Sequence, residues 1–327
     1  MAFRLKLVPD HTTFDFFKHA WLTFGASVVA TIASIVVALV LGLNFGIDFK
    51  GGTTIRTEST QALDVGLYRG AIAPLNLGDV SITQVFDPNF GPDQHVSMIR
   101  IQAQDGAEAI TPDTIAAVEA ALQGVDPAVK FISTESVGPK VSGELIWTAV
   151  WSVLAATLAI VVYVWLRFEW QYSIGALAAL VHDVTLTVGL FALFQIRFDL
   201  TIIAALLTIL GYSINDTVVV FDRLRENLIK YKTMPLKDVM NVSVNETLSR
   251  TVMTSGTTLI ALISLLVLGG DVIRGFVFAM TWGVIVGTYS SVYVAKNIVL
   301  FIGLDRNKKP EDPSAKFFTE GAQNADN

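Results

Sequence analysis

The chain has 327 residues, 52% of them apolar and 16% charged, a balance that a soluble domain does not show unless its apolar residues are gathered into spans. A net charge of −6 with no opposing basic stripe argues against a nucleic-acid binder. Cysteine is absent, which excludes disulfides and thiolate metal sites.

In chain order, residues 1–19 carry Arg4, Lys6 and Lys18 and lead into an apolar run from Trp21 to Leu43. That run exceeds a signal-peptide core, and Asn44-Phe45-Gly46-Ile47-Asp48 behind it offers no small-x-small cleavage site, so residues 20–43 predict a retained first span. Further apolar runs lie near Leu145–Leu166, Tyr172–Phe194, Leu200–Phe221, Met253–Leu268 and Phe276–Ile302. Each comes near the roughly 20 residues that cross a bilayer, which places spans two to six within 144–303. Arg167 follows span two, Arg223, Arg225, Lys230, Lys232 and Lys237 follow span four, and Arg306, Lys308 and Lys309 follow span six. The opposite turns hold Arg197 and Arg274 as minor exceptions, so the retention of basic residues in the cytoplasm predicts that both termini lie there.

Residues 44–143, on the exported side, are long enough to fold as a domain. Thr53–Thr57 alternates like a strand, Leu63–Leu75 has helical spacing, and Val80–Phe86 and Val96–Gln102 alternate again. Thr111-Pro112-Asp113 opens a helix that runs to Leu122, and Val129–Val137 closes with a strand. The order β-α-β-β-α-β predicts a ferredoxin-like α+β domain, with a turn-rich connection at Asp87-Pro88-Asn89-Phe90-Gly91-Pro92-Asp93. Residues 304–327 are rich in polar residues and predict a disordered cytoplasmic tail. Gly46 and Gly51 have the spacing of a phosphate-binding loop but lack its Lys-Ser/Thr, so that match is set aside.

A charged group at the centre of a span costs at least about 2.5 kcal/mol, so each one present asks for a reason. His182 and Asp183 lie in span three, Asp216 in the inner half of span four and Arg250 at the inner mouth of span five. Burial favours a protonated carboxyl and a neighbouring guanidinium favours the ionised form, so Arg250 moving toward or away from Asp216 would switch that acid. This is the minimum equipment of a proton relay; the alternative is a permanent ion pair that locks two helices. For His182-Asp183 a metal would need further ligands, and His11, His19 and His95 lie outside the spans. The pair then serves either as a polar network between helices or as a contributor to the proton path.

Asn245, Thr247, Thr251, Thr254, Ser255, Thr257 and Thr258 accompany Arg250 along span five, either as interhelical hydrogen-bonding groups or as the lining of a water path. Gly283-x-x-x-Gly287, Ser290-Ser291 and Ala295 supply small residues for close helix packing in span six. Asp48 lies among glycines where the chain turns from span one into the domain, and a turn or capping role suits it better than catalysis.

The combination of motifs is recognisable. Gly46-Ile47-Asp48-Phe49-Lys50-Gly51-Gly52, Val137-Gly138-Pro139 with Glu144-Leu145, and His182-Asp183 are followed by the longer Asn215-Asp216-Thr217-Val218-Val219-Val220-Phe221-Asp222-Arg223-Leu224-Arg225-Glu226-Asn227. Asn245-Glu246-Thr247-Leu248-Ser249-Arg250-Thr251 and Gly287-Thr288-Tyr289-Ser290-Ser291 complete the series. In this order, over nearly the whole chain up to about Arg306, they resemble the SecF branch of the SecD/SecF family, within the resistance-nodulation-division superfamily.

The resemblance implies an α-helical, multi-pass protein of the bacterial inner membrane, with six transmembrane helices and a ferredoxin-like periplasmic domain inserted between helices 1 and 2. It implies pairing with SecD, association with the SecYEG channel and YajC, and use of the proton motive force to assist the translocation of unfolded preproteins. Asp216 and Arg250 then carry protons, with His182, Asp183, Asn215, Thr217, Asn245, Thr247 and Thr254 as a supporting polar network, and Asp48, Gly51 and Gly52 form a hinge. No enzymatic activity, cofactor or metal is expected. The competing reading is a proton-driven exporter of small molecules from the same superfamily.

Overall fold

A computed structural model describes residues 9, 12–103 and 110–304. Arg4, Lys6, His11, the basic residues after span six and the expected tail from 305 onward lie outside the described residues. Helix α1 (Ala20–Leu41) leads through β1 (Asn44–Phe45) and the single turn α2 (Ile47–Lys50) into a sheet unit. That unit runs β2 (Gly52–Ser59), α3 (Val65–Ile72), β3 (Val80–Val85), β4 (His95–Gln102), α4 (Pro112–Gln123) and β5 (Lys130–Val137). Then come α5 (Pro139–Arg167), α6 (Trp170–Leu193), β6 (Arg197–Phe198), α7 (Leu200–Lys230), α8 (Leu236–Leu268), α9 (Asp271–Tyr293) and α10 (Ala295–Ile302).

The helices of the sheet unit start where local chemistry provides caps. Asp64 Oδ1 accepts from the backbone N–H of Gly66 and Leu67, and Thr111 Oγ1 accepts from that of Thr114 ahead of Pro112. The four strands are antiparallel in the order β3-β4-β2-β5, with Ile55 of β2 opposite Ile99 of β4. Alternation along the strands turns Ile55, Ile82, Ile99 and Ile101 toward Tyr68, Ile72, Val118 and Leu122 of α3 and α4, which forms the core of this unit. Arg56, Met98 and Arg100 consequently occupy the other face, the one that no helix of the unit covers, and there β2 and β4 meet α2.

Several contacts seat the sheet unit on the helices. Strands β1 and β6 pair in parallel, Asp48 Oδ2 accepts from Leu200 N–H at 3.0 Å, and Phe86 N–H donates to Asp271 Oδ2 at 2.7 Å. At the junction Gly52 has φ +138°, and a Cβ there would lie 2.4 Å from the Ile101 carbonyl oxygen, so no larger residue fits.

Among the described residues six helices are long and apolar enough to cross a membrane, the last being α9 and α10 together. Half or nearly half of the most apolar stretch is buried in α6, α7 and α9–α10 (50%, 44% and 56%), against 6%, 6% and 11% in α1, α5 and α8. The first three therefore form the inner layer. Gly283 and Gly287 of α9 lie against Ile209 and Ser213 of α7 and bring those two backbones together.

Two features differ from the reading by hydropathy. Helix α8 starts at Leu236, well before the apolar run at Met253, because its first half is a polar helix that packs Val239, Met240 and Val244 into the core near Phe17. Span six is interrupted at Val294, where φ −102° and ψ −62° separate α9 from α10.

Candidate functional site

Polar groups are expensive inside an apolar bundle unless they find partners, so the buried ones mark where the inner helices have been shaped around something other than packing. Two carboxylates stand there. Asp183 of α6 is fully buried, and its Oδ1 lies 2.9 Å from His182 Nδ1. Its Oδ2 accepts from Ser213 Oγ of α7 at 2.6 Å and from Ser290 Oγ of α9 at 2.8 Å. One side chain thus joins all three inner helices. The His182 ring stacks on Tyr289, whose hydroxyl donates to the Thr23 carbonyl of α1 at 3.1 Å, which extends the network outward.

Asp216 lies one turn farther along α7 than Ser213 and is 6% exposed. Its Oδ1 accepts from Thr251 Oγ1 of α8 at 3.0 Å, while its Oδ2 has no hydrogen-bond partner among the described residues. Ser291 of α9 stands near it, with its own hydroxyl donating to the Thr288 carbonyl at 3.0 Å. The strongest charge acting on Asp216 is that of Lys296, with Arg250 the weaker contributor.

Lys296 is 1% exposed, in the first turn of α10 just beyond the break in span six. Its ammonium donates to the Ser291 carbonyl, in the way lysines satisfy the last carbonyls of a helix, and it interacts electrostatically with Asp216. Reading the sequence missed this residue. The signal was present, because Lys296 falls inside the apolar run Phe276–Ile302, but a lysine near the end of a span ordinarily reaches out to the membrane surface.

The other expected site residues are distributed more widely. Arg250 is exposed and makes no close ion pair among the described residues. Asn245 holds the N-terminal segment, accepting from Phe14 N–H at 2.9 Å and donating to the Phe14 carbonyl at 2.8 Å. Thr217, Thr247 and Thr254 bond to carbonyls of their own helices, and Asn215 is exposed. Thr251 and Ser291, together with Lys296, are the groups that surround Asp216.

The Asp183 hub makes a direct prediction. Interhelical hydrogen bonds inside a membrane contribute roughly 0.6 kcal/mol each, so Asp183→Ala should lower bundle stability by about 1–2 kcal/mol in an equilibrium SDS-unfolding assay. A loss below 0.3 kcal/mol would show that the serines find other partners without cost.

Comparison with known proteins agrees with this architecture. The family model described as protein export membrane protein SecD/SecF, C-terminal, matches residues 117–305, and that of the SecD/SecF GG motif matches residues 36–62, which include Gly51 and Gly52. The chain is 71% identical over 329 aligned residues to the protein translocase subunit SecF of Rhodobacter capsulatus, covering 99% of each. It is similar to the crystal structure of SecDF from Thermus thermophilus, titled a translocon-associated membrane protein, with a TM-score of 0.79 at 33% identity. The match covers 92% of this chain and 40% of that one. A second SecDF structure, titled the super-membrane-facing form, matches with a TM-score of 0.67 at 33% identity, covering 99% of this chain and 41% of the other.

Proposed function

The chain belongs to the SecD/SecF family of protein export membrane proteins, and we propose that it is a SecF subunit that pairs with SecD and uses the proton motive force to assist translocation of unfolded preproteins through SecYEG, with YajC as a further associate. The observation that carries this reading is Asp216: a carboxyl buried among apolar helices, with one oxygen unpartnered and a buried lysine within its field. Such a group gains or loses a proton according to small changes in how near its cations and hydroxyls stand. SecDF chains of known structure extend far beyond the 40% that this chain covers, which leaves room for the portion a SecD subunit would supply.

In this reading residues 1–19 and 304–327 are cytoplasmic, 20–43 and 144–303 cross the inner membrane, and 44–143 form the ferredoxin-like periplasmic domain. Proton binding at Asp216 alters the packing of α7 against α8 and α10, with Arg250 a second cation that approaches as α8 moves. The Asp48–Leu200 and Asp271–Phe86 contacts transmit the shift to the sheet unit, and Gly51 and Gly52 mark the joint. That the two SecDF structures match to different degrees at equal identity supports more than one arrangement of this architecture. One charge crossing 100 mV releases about 2.3 kcal/mol, enough to bias a two-state motion by tens of fold.

Depleting the chain from inner-membrane vesicles should remove the proton-gradient stimulation of preprotein import while leaving ATP-driven import in place, and the tagged chain should co-purify with SecD. Normal import with new sensitivity to toxic small molecules would instead identify an exporter.

A further inference from the structure

The uncovered face of the sheet and the loops that end α1 and α6 enclose a pocket of about 130 Å3, lined by Asn44, Gly46, Lys50, Ser81, Arg100 and Arg197 among others. It is smaller than the cavities that hold drug-sized ligands. The two arginines of its lining also converge on a poor acceptor: Arg100 Nη2 lies 2.8 Å and Arg197 Nη1 3.9 Å from the same thioether, Met98 Sδ. The buried Nε atoms of both arginines have no hydrogen-bond partner among the described residues. Gly46 makes room for this arrangement, since a Cβ there would sit 2.9 Å from Arg197 Nε.

The charges around the pocket do not cancel. Lys50, Arg100 and Arg197 line it with Asp79, which accepts from Gln102; Arg56 and Asp199 act on Arg100 from outside the lining, Asp199 lying 3.7 Å from Arg197 Nε and capping α7 through Thr201, and Asp48 of α2 accepts from Leu200 N–H. Burial, reinforced by the positive charges of Arg197 and Arg56 and only partly offset by Asp199, holds the Arg100 guanidinium down at about 10. Guanidiniums gathered this closely, with N–H groups that make no hydrogen bond among the described residues, favour an oxyanion that can accept from both. Because the pocket adjoins the ends of two membrane-crossing helices, the oxyanion most concentrated beside it is a phospholipid phosphate.

We propose that Arg100 and Arg197 form a phosphate-binding site, filled by the headgroup phosphate of a phospholipid in the adjoining leaflet. Two charge-assisted forks replace the thioether contact, and the bound lipid pins the sheet unit at the membrane surface.

Native mass spectrometry of the full chain released from phosphatidylglycerol nanodiscs counts the phospholipids it retains. The wild type should keep one more than R100Q/R197Q, and that lipid should be displaced by excess inorganic phosphate. Loss of both guanidiniums should weaken phosphate binding at least about tenfold. A thermal-unfolding series on the delipidated wild type, phosphate against chloride at matched ionic strength, needs no variant and guards against misfolding of R100Q/R197Q. A rise in Tm with phosphate but equal lipid counts would keep the phosphate site and overturn its lipid source. Equal counts with no rise in Tm would overturn the site itself.

Discussion

Asp216→Asn should abolish the response of preprotein import to a proton gradient while leaving the bundle folded. Asparagine matches the shape of the carboxyl and keeps an acceptor for Thr251 Oγ1, so the 3.0 Å bond between α7 and α8 survives. What it cannot do is exchange a proton. The gradient bias of about fiftyfold that one charge moved through 100 mV can impose on a two-state motion should therefore fall to none, read as the ratio of import rates with and without a gradient in membrane vesicles. Stability should fall somewhat without unfolding the bundle, because the buried Lys296 loses the counter-charge of Asp216. Import that stays gradient-stimulated in Asp216→Asn would take this acid off the proton path.

The second large effect is the coupling between Asp216 and Lys296, to be measured by a double-mutant cycle. Asp216→Asn alone strands a lysine that is 1% exposed, and Lys296→Met alone strands a carboxyl that is 6% exposed. The double variant strands neither. Residues that share a buried charge interaction show coupling of about 1–3 kcal/mol, so the double variant should be more stable than the sum of the single changes by that amount. The same cycle run with Arg250→Gln should stay within the roughly 0.5 kcal/mol of ordinary additivity, since Arg250 is exposed and screened by solvent. A larger coupling for Arg250 than for Lys296 would return the helix-five guanidinium to the role of resting partner.

The contrast between these two cations shows what a linear reading can reach. Arg250 stands out in the sequence because it sits at the mouth of a span inside a specific motif. Lys296 does not, because a lysine a few residues before the end of an apolar run looks like one that reaches the membrane surface. The break between α9 and α10 at Val294, and the burial of Lys296 with its ammonium on the Ser291 carbonyl, are packing outcomes with no glycine or proline to announce them. His182 and Asp183 illustrate an intermediate case. Their burial was evident from the apolar run around them, but that Asp183 would join α6 to both α7 and α9 through Ser213 and Ser290 depended on how those helices pack.

The six apolar spans, the β-α-β-β-α-β order of the sheet unit and the acid of the fourth span were written in the sequence, because hydrophobic period and composition act over neighbouring residues and survive in one dimension. Which groups meet across helices was decided by the tertiary structure alone. The electrostatic influence of Lys296 on Asp216, and the meeting of Arg100 and Arg197 at Met98, join segments far apart in the chain, and the close fit of α7 against α9 or of the sheet against α2 sets them. A buried charge is stabilised or stranded by whatever packing places a few ångströms away, and that distance is a property of the fold.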